Sequence, residues 1–354
     1  MTTLSGRRPP VKSRGHHPAP FWLVFALALV ALSAIVAVSF LVGRYAIDPW
    51  EAVRIMASRF IAMEHTWREL DAKVVWEVRW PRTLMAVLVG AALSCSGAVY
   101  QGVFRNPLVS PDILGVSAAA SFGAALAILL SGAFSPLVSS LAFGMGILGV
   151  LLAYALARVK GMTPTIMLVL SGVVVSSIFN AGVSIMKYLA DPEDDLPAIT
   201  FWLMGSLSGM RWENLAFAAP IIVVGLAVLM VITWQLNLLT MGDAEARSLG
   251  ANAQRTRLIA IVCATAMTAT AVSQSGAIGW VGLVIPHMAR MLVGPDHRKL
   301  VPIAAVLGAA FLLTIDSLTR TVSESSLPLS IPTALVGAPF FAILLRRSKG
   351  VWTR

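Results

Sequence analysis

The most constraining feature of this chain is a run of 45 residues, Ile113 to Ala157, that contains no charged side chain. A transmembrane helix needs only about 20 apolar residues, so the run is too long for one span. Ser131, Gly132 and Pro136 lie near its middle, and residues of these types typically interrupt helices. The run therefore predicts two membrane-crossing helices joined by a short turn.

Apolar runs recur along the rest of the chain. They cover residues 21–43, 83–104, 162–186, 215–240, 258–289, 300–322 and 327–345. The run at 258–289 is again too long for one span, and Ser273 to Gly276 divides it. Charged residues make up 12% of the chain, against about 25% in a typical soluble domain. We therefore expect an all-α polytopic membrane protein with ten transmembrane helices, and a short interfacial or re-entrant helix at 198–210.

The distribution of basic residues predicts the orientation. With ten spans both termini lie on one side, which carries 17 of the 27 Lys and Arg residues. Because cytoplasmic loops are enriched in these residues, both termini are expected in the cytoplasm. The same bias accounts for the net charge of +10 without a nucleic-acid partner. We expect residues 1–20 to form a disordered basic tail, 21–348 a single transmembrane domain, and 349–354 a cytoplasmic tail.

Two stripes of small and polar residues recur at four-residue spacing. In the second span the stripe is expected to let another helix approach closely, and it consists of Gly90, Ser94, Ala98 and Gly102. In the fifth span it consists of Gly172, Ser176, Asn180 and Ser184. An amide in lipid is costly unless it faces protein or water. The second stripe therefore indicates either a translocation path or a polar contact between helices.

Charged residues in and near the later spans suggest further roles. The segment Gly242 to Gly250 follows the sixth span, forms helix readily and ends in a glycine that can cap it. It is either a docking element for a soluble partner or an ordinary connector. Asp316 and Arg320 are four residues apart, which predicts an intrahelical ion pair that eases the burial of both charges.

Catalytic motifs are missing from the sequence. It contains no H-E-x-x-H and no G-x-x-x-x-G-K-[ST], the motifs of zinc proteases and of P-loop ATPases. One histidine and one aspartate within the spans are too few for an intramembrane enzyme. We therefore expect no catalytic residue, no metal site and no cofactor in this chain. If transport is driven by ATP, both ATP and Mg²⁺ bind to a separate ATPase.

Several segments together resemble a known family. They are VRWPRTL (78–84), QGVFRNPL (101–108), DILGVS (112–117), FWLMGSL (201–207), GDAEARSLG (242–250), GAIGWVGLVIPH (276–287), DHR (296–298) and GAPFF (337–341). This ordered set resembles the permeases of type II ABC importers, which carry ferric siderophores, haem and cobalamin. The resemblance extends from about residue 44 to the C-terminus.

The resemblance implies a fold and a set of partners. It implies ten helices, a second permease subunit that is most simply a copy of this chain, two cytoplasmic ABC ATPases and an external substrate-binding protein. The substrate would be a metal chelate, and the location would be the cytoplasmic (inner) membrane of a bacterium or archaeon. An ion-coupled secondary carrier or channel is the alternative, which should show intramembrane acids or a carbonyl filter motif. Siderophore, haem, cobalamin and an oxyanion such as molybdate all remain open as substrates.

The resemblance also implies roles for particular residues. Residues of the loop at about 238–256 would couple to the ATPase, and they are Gly242, Asp243, Glu245, Ala246, Leu249 and Gly250. Three basic residues would face acidic residues of the binding protein, namely Arg79, Arg82 and Arg320. Gate residues would be Asn106, Leu108 and Thr165, next to a path lined by the stripe of the fifth span.

Overall fold

A computed structural model of the chain describes residues 20–43, 45–59, 61–158, 163–322 and 327–348. These residues form helices and connecting turns, with no strand among them. The expected tails at 1–20 and 349–354 lie outside the described residues, apart from Pro20.

The first half of the chain contains a long insertion between its first two apolar helices, residues 42–79, here termed the outer insertion because the predicted topology places it outside. The elements are α1 (Phe21–Leu41), α2 (Pro49–Ala57), α3 (Glu69–Lys73), a π-helical turn (Val74–Arg79), α4 (Trp80–Val103), a 3₁₀ turn (Pro111–Leu114), α5 (Val116–Ser131) and α6 (Pro136–Ala157).

The second half begins with a helix of 25 residues and ends near the C-terminus. The elements are α7 (Thr165–Leu189), α8 (Asp195–Leu203), α9 (Trp212–Val231), α10 (Thr233–Met241), α11 (Asp243–Ser248), α12 (Ala253–Ser275), α13 (Val281–Val293), α14 (His297–Val322) and α15 (Ser330–Ser348).

Seven of the described helical segments are long and apolar enough to cross a membrane. Three further apolar helices, α5, α13 and the described part of α15, are shorter, and they coincide with the remaining predicted spans. The prediction of an all-helical, multi-spanning protein is confirmed, while the count of ten crossings stays a prediction. The breaks expected in the two longest apolar runs are confirmed, because α5 ends at Ser131 and α12 ends at Ser275.

Two predicted elements have different bounds in the structure. The helix expected at 198–210 is α8, which ends at Leu203, because Gly205 and Gly209 adopt left-handed backbone conformations that do not continue a helix. The span expected at 215–240 is divided at Ile232 into α9 and α10. The Thr233 hydroxyl donates to the Met230 carbonyl at this break, so it replaces part of the interrupted backbone hydrogen bonding.

Helix α4 lies at the centre of the bundle, and nearly all its side chains after Thr83 are buried. Its stripe packs closely against α14, as expected from the sequence. A Cβ atom added at Gly90 would overlap the Gly308 carbonyl oxygen, and the Ser94 hydroxyl donates to the Ala304 carbonyl at 2.6 Å. The packing role of this stripe is therefore confirmed, since small residues allow the two backbones to approach.

The outer insertion forms a small cluster of its own beside the start of α4. Ile47, Ile55, Trp67 and Val75 are buried together. The Tyr45 hydroxyl donates to the Asp71 carboxylate at 2.7 Å, and this hydrogen bond raises the pKa of Tyr45. The insertion therefore holds the π-helical turn that carries the first arginine of the candidate site.

Candidate functional site

The three arginines expected to dock a binding protein lie together at one end of the bundle. Arg79, Arg82 and Arg320 line a cavity of about 400 Å³. Asp316 is fully buried beneath the cavity. Its Oδ1 accepts a hydrogen bond from Arg82 Nη2 at 2.8 Å, and its Oδ2 forms an ion pair with Arg320 Nε at 3.2 Å. The intrahelical pair expected between Asp316 and Arg320 is confirmed, and the pairing of Asp316 with Arg82 is an addition.

Two of these arginines also complete the end of α1. The Arg79 guanidinium donates to the Phe40 carbonyl and, at 2.6 Å, to the Tyr45 carbonyl. Arg320 donates to the Ser39 and Val42 carbonyls at 3.4 Å. The last carbonyls of a helix have no partner within the helix, so both arginines satisfy groups that burial would otherwise leave unpaired. Both side chains are more than nine-tenths buried within the isolated chain, although they line the cavity.

The predicted coupling segment is a short, exposed helix. Gly242 precedes α11 at φ +131°, and Gly250 follows it at φ +80°. Both angles favour glycine. Ala246 is fully buried and anchors the helix to the bundle, whereas Glu245 and Leu249 are exposed. The helix therefore offers a free face beside an apolar anchor.

The predicted gate residues lie at the same end of the bundle as α11. Asn106 and Leu108 follow α4, and the Asn106 side chain accepts the Leu108 amide at 2.9 Å. Thr165 is the first residue of α7. Thr165 lines a cavity of about 550 Å³ whose lining also includes Asp243 and Gly250. The structure thus brings the start of α7 next to the coupling segment.

The polar stripe of α7 divides into two parts. Gly172 is buried, and a Cβ atom there would overlap the Ile113 carbonyl; Ser176 is half-buried beside Gly115. Asn180 and Ser184 are exposed. The first part therefore packs inside the chain, while the second lies on a face that the described residues leave uncovered.

The end of the bundle that carries α11 also holds an ordered carboxylate at the start of α14. Burial disfavours ionisation of the Asp296 carboxyl, but hydrogen bonds from the Arg298 amide and the Asn237 side chain outweigh this effect, so the pKa of Asp296 lies below its usual value. The Asn237 contact measures 2.6 Å and ties α10 to the loop before α14. Among the described residues there is no group of three or more His, Cys, Asp or Glu side chains that could hold a metal ion.

Comparison with known proteins assigns this arrangement to a family. The model of the FecCD transport family matches residues 29–347. The chain belongs to the FecCD transport family. It is therefore a permease subunit of an ATP-binding-cassette importer and a multi-pass protein of the cytoplasmic membrane.

Relatives with known names and one solved structure align with nearly the whole chain. The molybdate import permease MolB of Haemophilus influenzae is 38% identical over 92% of this chain and 96% of its own length. The cobalamin import permease BtuC of Halobacterium salinarum is 38% identical over 94% of this chain and 90% of its own length. A solved metal-chelate type ABC transporter in an inward-facing conformation superposes with a TM-score of 0.81 at 35% identity, covering 92% of this chain and 99% of that chain.

Sequence reasoning missed two charged residues of this FecCD permease. Arg105 and Arg257 both contact Asp243, at 3.2 Å and 2.7 Å. The sequence held a signal in each case, because Arg105 is the first charged residue after the apolar run at 83–104, and Arg257 directly precedes the run at 258–289. Their shared partner, Asp243, could not be predicted from the sequence, because it is 138 residues from Arg105 and 14 residues from Arg257.

Proposed function

We propose that this FecCD permease forms, with a second permease subunit, the translocation path of an importer for a bulky metal chelate. The observation that carries the proposal is the uncovered polar face of α7. Asn180 and Ser184 are exposed on a helix long and apolar enough to cross the membrane. An amide facing lipid is strongly disfavoured, so this face must meet another chain or an aqueous path.

The proposed topology has ten crossings with both termini in the cytoplasm. The excess of Lys and Arg on that side supports it. In this arrangement α11 and the gate residues Asn106, Leu108 and Thr165 face the cytoplasm. The cavity lined by the three arginines then faces outward, where a binding protein would dock.

A separate ATPase is proposed to drive the transport. The exposed helix α11 would be its docking element, held by buried Ala246 and closed by Gly242 and Gly250. Glu245 and Leu249 would contact the ATPase from the free face. ATP-driven movement of α11 would then favour one of two states of the path, and a partner can shift such an equilibrium only through different contacts in the two states.

The proposed substrate is a metal chelate presented by an external binding protein. The names of the relatives support this class, since they include a cobalamin permease and a hemin permease from Yersinia pestis that is 35% identical. A molybdate permease is also among them, so an oxyanion is a competing substrate within the same transport function.

The test is uptake into proteoliposomes that contain the permease, its ATPase and its binding protein. Asn180→Cys and Ser184→Cys are made in a background without Cys95 and Cys263. We expect both cysteines to react with hydrophilic thiol reagents at a rate that changes on addition of ATP. Leu151→Cys is the matched control, because Leu151 is 61% exposed on an entirely apolar part of α6, and it should be inert.

Two outcomes would contradict the proposal. If Asn180→Cys is as inert as Leu151→Cys in every nucleotide state, the α7 face packs against protein and does not line a path. If uptake follows an ion gradient and needs no ATPase, the chain works as a secondary carrier instead.

A further inference from the structure

Arg105 occupies a strained backbone position at the end of α4. The Asn106 amide donates to the Gln101 carbonyl at 3.1 Å, and the Arg105 amide donates to the Gly102 carbonyl at 3.2 Å. This pair of bonds is a Schellman cap, whose central residue adopts a left-handed conformation and is usually glycine. Here that residue is arginine, with φ +50°.

The same cap closes α11, and there it has the usual residue. The Ala251 amide donates to the Ala246 carbonyl at 2.9 Å, and the Gly250 amide donates to the Arg247 carbonyl at 3.0 Å. Gly250 takes the left-handed position at φ +80°. Strained backbone positions cluster at functional sites, so the contacts of the Arg105 side chain are a place to look for a function.

The Arg105 side chain reaches the coupling helix. Its Nη2 lies 3.2 Å from Oδ1 of Asp243, the first residue of α11. The same oxygen lies 2.7 Å from Nη2 of Arg257. Arg257 belongs to the long helix α12, and its side chain is only 8% exposed, so it is a fixed anchor. One carboxylate oxygen therefore joins the end of α4, α11 and α12.

The gate loop begins at the residue after Arg105 and is held firmly to α4. The Asn106 side chain accepts the Leu108 amide at 2.9 Å, and the Gln101 side chain donates to the Val109 carbonyl at 3.3 Å. Because the loop is internally bonded, a pull on Arg105 would move Asn106 and Leu108 with it.

We propose that Asp243 and Arg105 form a link that transmits movement of α11 to the gate loop. The inference rests on the proposed coupling of α11 to an ATPase and assigns Asp243 a second task, on the inner side of that helix. Asp243 is a positioning residue here, acting through Arg105 on the gate.

The Arg105–Asp243 ion pair is partly exposed, which suits a contact that forms and breaks in each transport cycle. Arg105 is 44% exposed and Asp243 is 36% exposed, and ion pairs of this kind add little to stability. A fully buried pair would resist opening, because separation would leave an uncompensated charge. The exposed pair can therefore change partners without unfolding the loop.

The experiment compares three variants in proteoliposomes with the ATPase and the binding protein. Arg105→Gly removes the link and relieves the left-handed strain, and Arg105→Lys keeps the charge at the same backbone position. Arg158→Gly is the matched control, because Arg158 is exposed at the end of α6 and has an ordinary φ of −77°. Transport per ATP hydrolysed, thermal stability and the thiol reactivity of Leu108→Cys are measured for each.

We expect Arg105→Gly to unfold at the same temperature as wild type or higher, yet to transport about fivefold less per ATP, the lower end of typical coupling between sites. Reactivity of Leu108→Cys should lose its dependence on nucleotide in that variant. Arg105→Lys should retain most of the coupling, and Arg158→Gly should retain all of it. If Arg105→Gly couples as well as wild type and Leu108→Cys still responds to nucleotide, the link is refuted. If wild type itself shows no ATP-driven uptake, the proposed function fails instead.

Discussion

The two ends of this permease each hold an aspartate shared by two arginines, and the two clusters differ in burial. At the end that the proposed topology places outside, the outer end, Asp316 is fully buried between Arg82 and Arg320. At the opposite end, which the proposal places in the cytoplasm, Asp243 is 36% exposed between Arg105 and Arg257. A buried carboxylate between two guanidinium groups is costly to disrupt, whereas an exposed one exchanges partners easily. The difference indicates a rigid outer end and an adjustable cytoplasmic end.

The largest expected effect is the difference in unfolding free energy between variants that neutralise the two aspartates. Asp316→Asn should lower the free energy of unfolding by about 3–5 kcal/mol, because it leaves buried arginines uncompensated. Asp243→Asn should lower it by less, because Asp243 and Arg105 are partly exposed and only Arg257 would be left buried without its partner. Thermal unfolding of both variants in detergent checks the contrast. Equal losses of unfolding free energy in the two variants would show that the difference in burial does not make one cluster more stabilising than the other.

A smaller effect is expected at the helix contact that supports the outer cluster. Gly90 and Gly308 lie two turns from Arg82 and Asp316 on α4 and α14. Gly90→Ala should cost about 1–3 kcal/mol through overpacking, because its Cβ atom would overlap the Gly308 carbonyl. Gly144→Ala on α6 is the control, since a Cβ atom there meets nothing within 4 Å.

The same pair of glycine variants also tests whether the two ends are independent. Transport per ATP by Gly90→Ala, measured where the protein is still folded, should match that of wild type. A loss of coupling as large as that of Arg105→Gly would mean that packing between α4 and α14 also controls the cytoplasmic end.

The smallest expected effect concerns docking of the binding protein at the outer arginines. In the fraction of Arg82→Gln that remains folded after loss of the pair with Asp316, association should be a few fold slower, because charges at a docking surface act mainly on the association rate. The wild-type rate should fall as salt rises, since attraction between charges across solvent is screened over about 8 Å at 0.15 M. Surface-based kinetics with immobilised permease measures both rates.

Asp243→Asn is the control for that measurement, because it changes a charge at the opposite end. An association rate that responds to neither Arg82→Gln nor salt would assign the outer arginines to internal structure alone. An equal response to Asp243→Asn would show that the two clusters communicate through the bundle.

Local features were largely readable from the sequence, and contacts between distant segments were not. The breaks at Ser131 and Ser275 follow from run length and small polar residues, and the Asp316–Arg320 pair follows from four-residue spacing. Arg82 and Asp316 are 234 residues apart, and their pairing depends on how α4 packs against α14. Periodicity along one helix carries no information about which other helix it meets.

The α7 stripe shows the same limit at a finer scale. Spacing of four residues predicts a shared face for Gly172 and Asn180, but four residues of an α-helix turn by slightly more than a full circle. Over eight residues the drift is enough to bury Gly172 against the 3₁₀ turn and leave Asn180 exposed. The spacing predicts a polar face whose role in a path stays a prediction, and the 3₁₀ turn determines which part of that face is covered.

The completion of α1 by Arg79 and Arg320 has a consequence for synthesis of the protein. The first apolar helix leaves the ribosome early, but the guanidinium groups that satisfy its last carbonyls belong to residues 79 and 320. The second of these is made only when about nine-tenths of the chain has been translated. Until then the Ser39 and Val42 carbonyls must rely on water at the membrane surface. We therefore expect the end of α1 to reach its final arrangement only after α14 has been synthesised and packed against it.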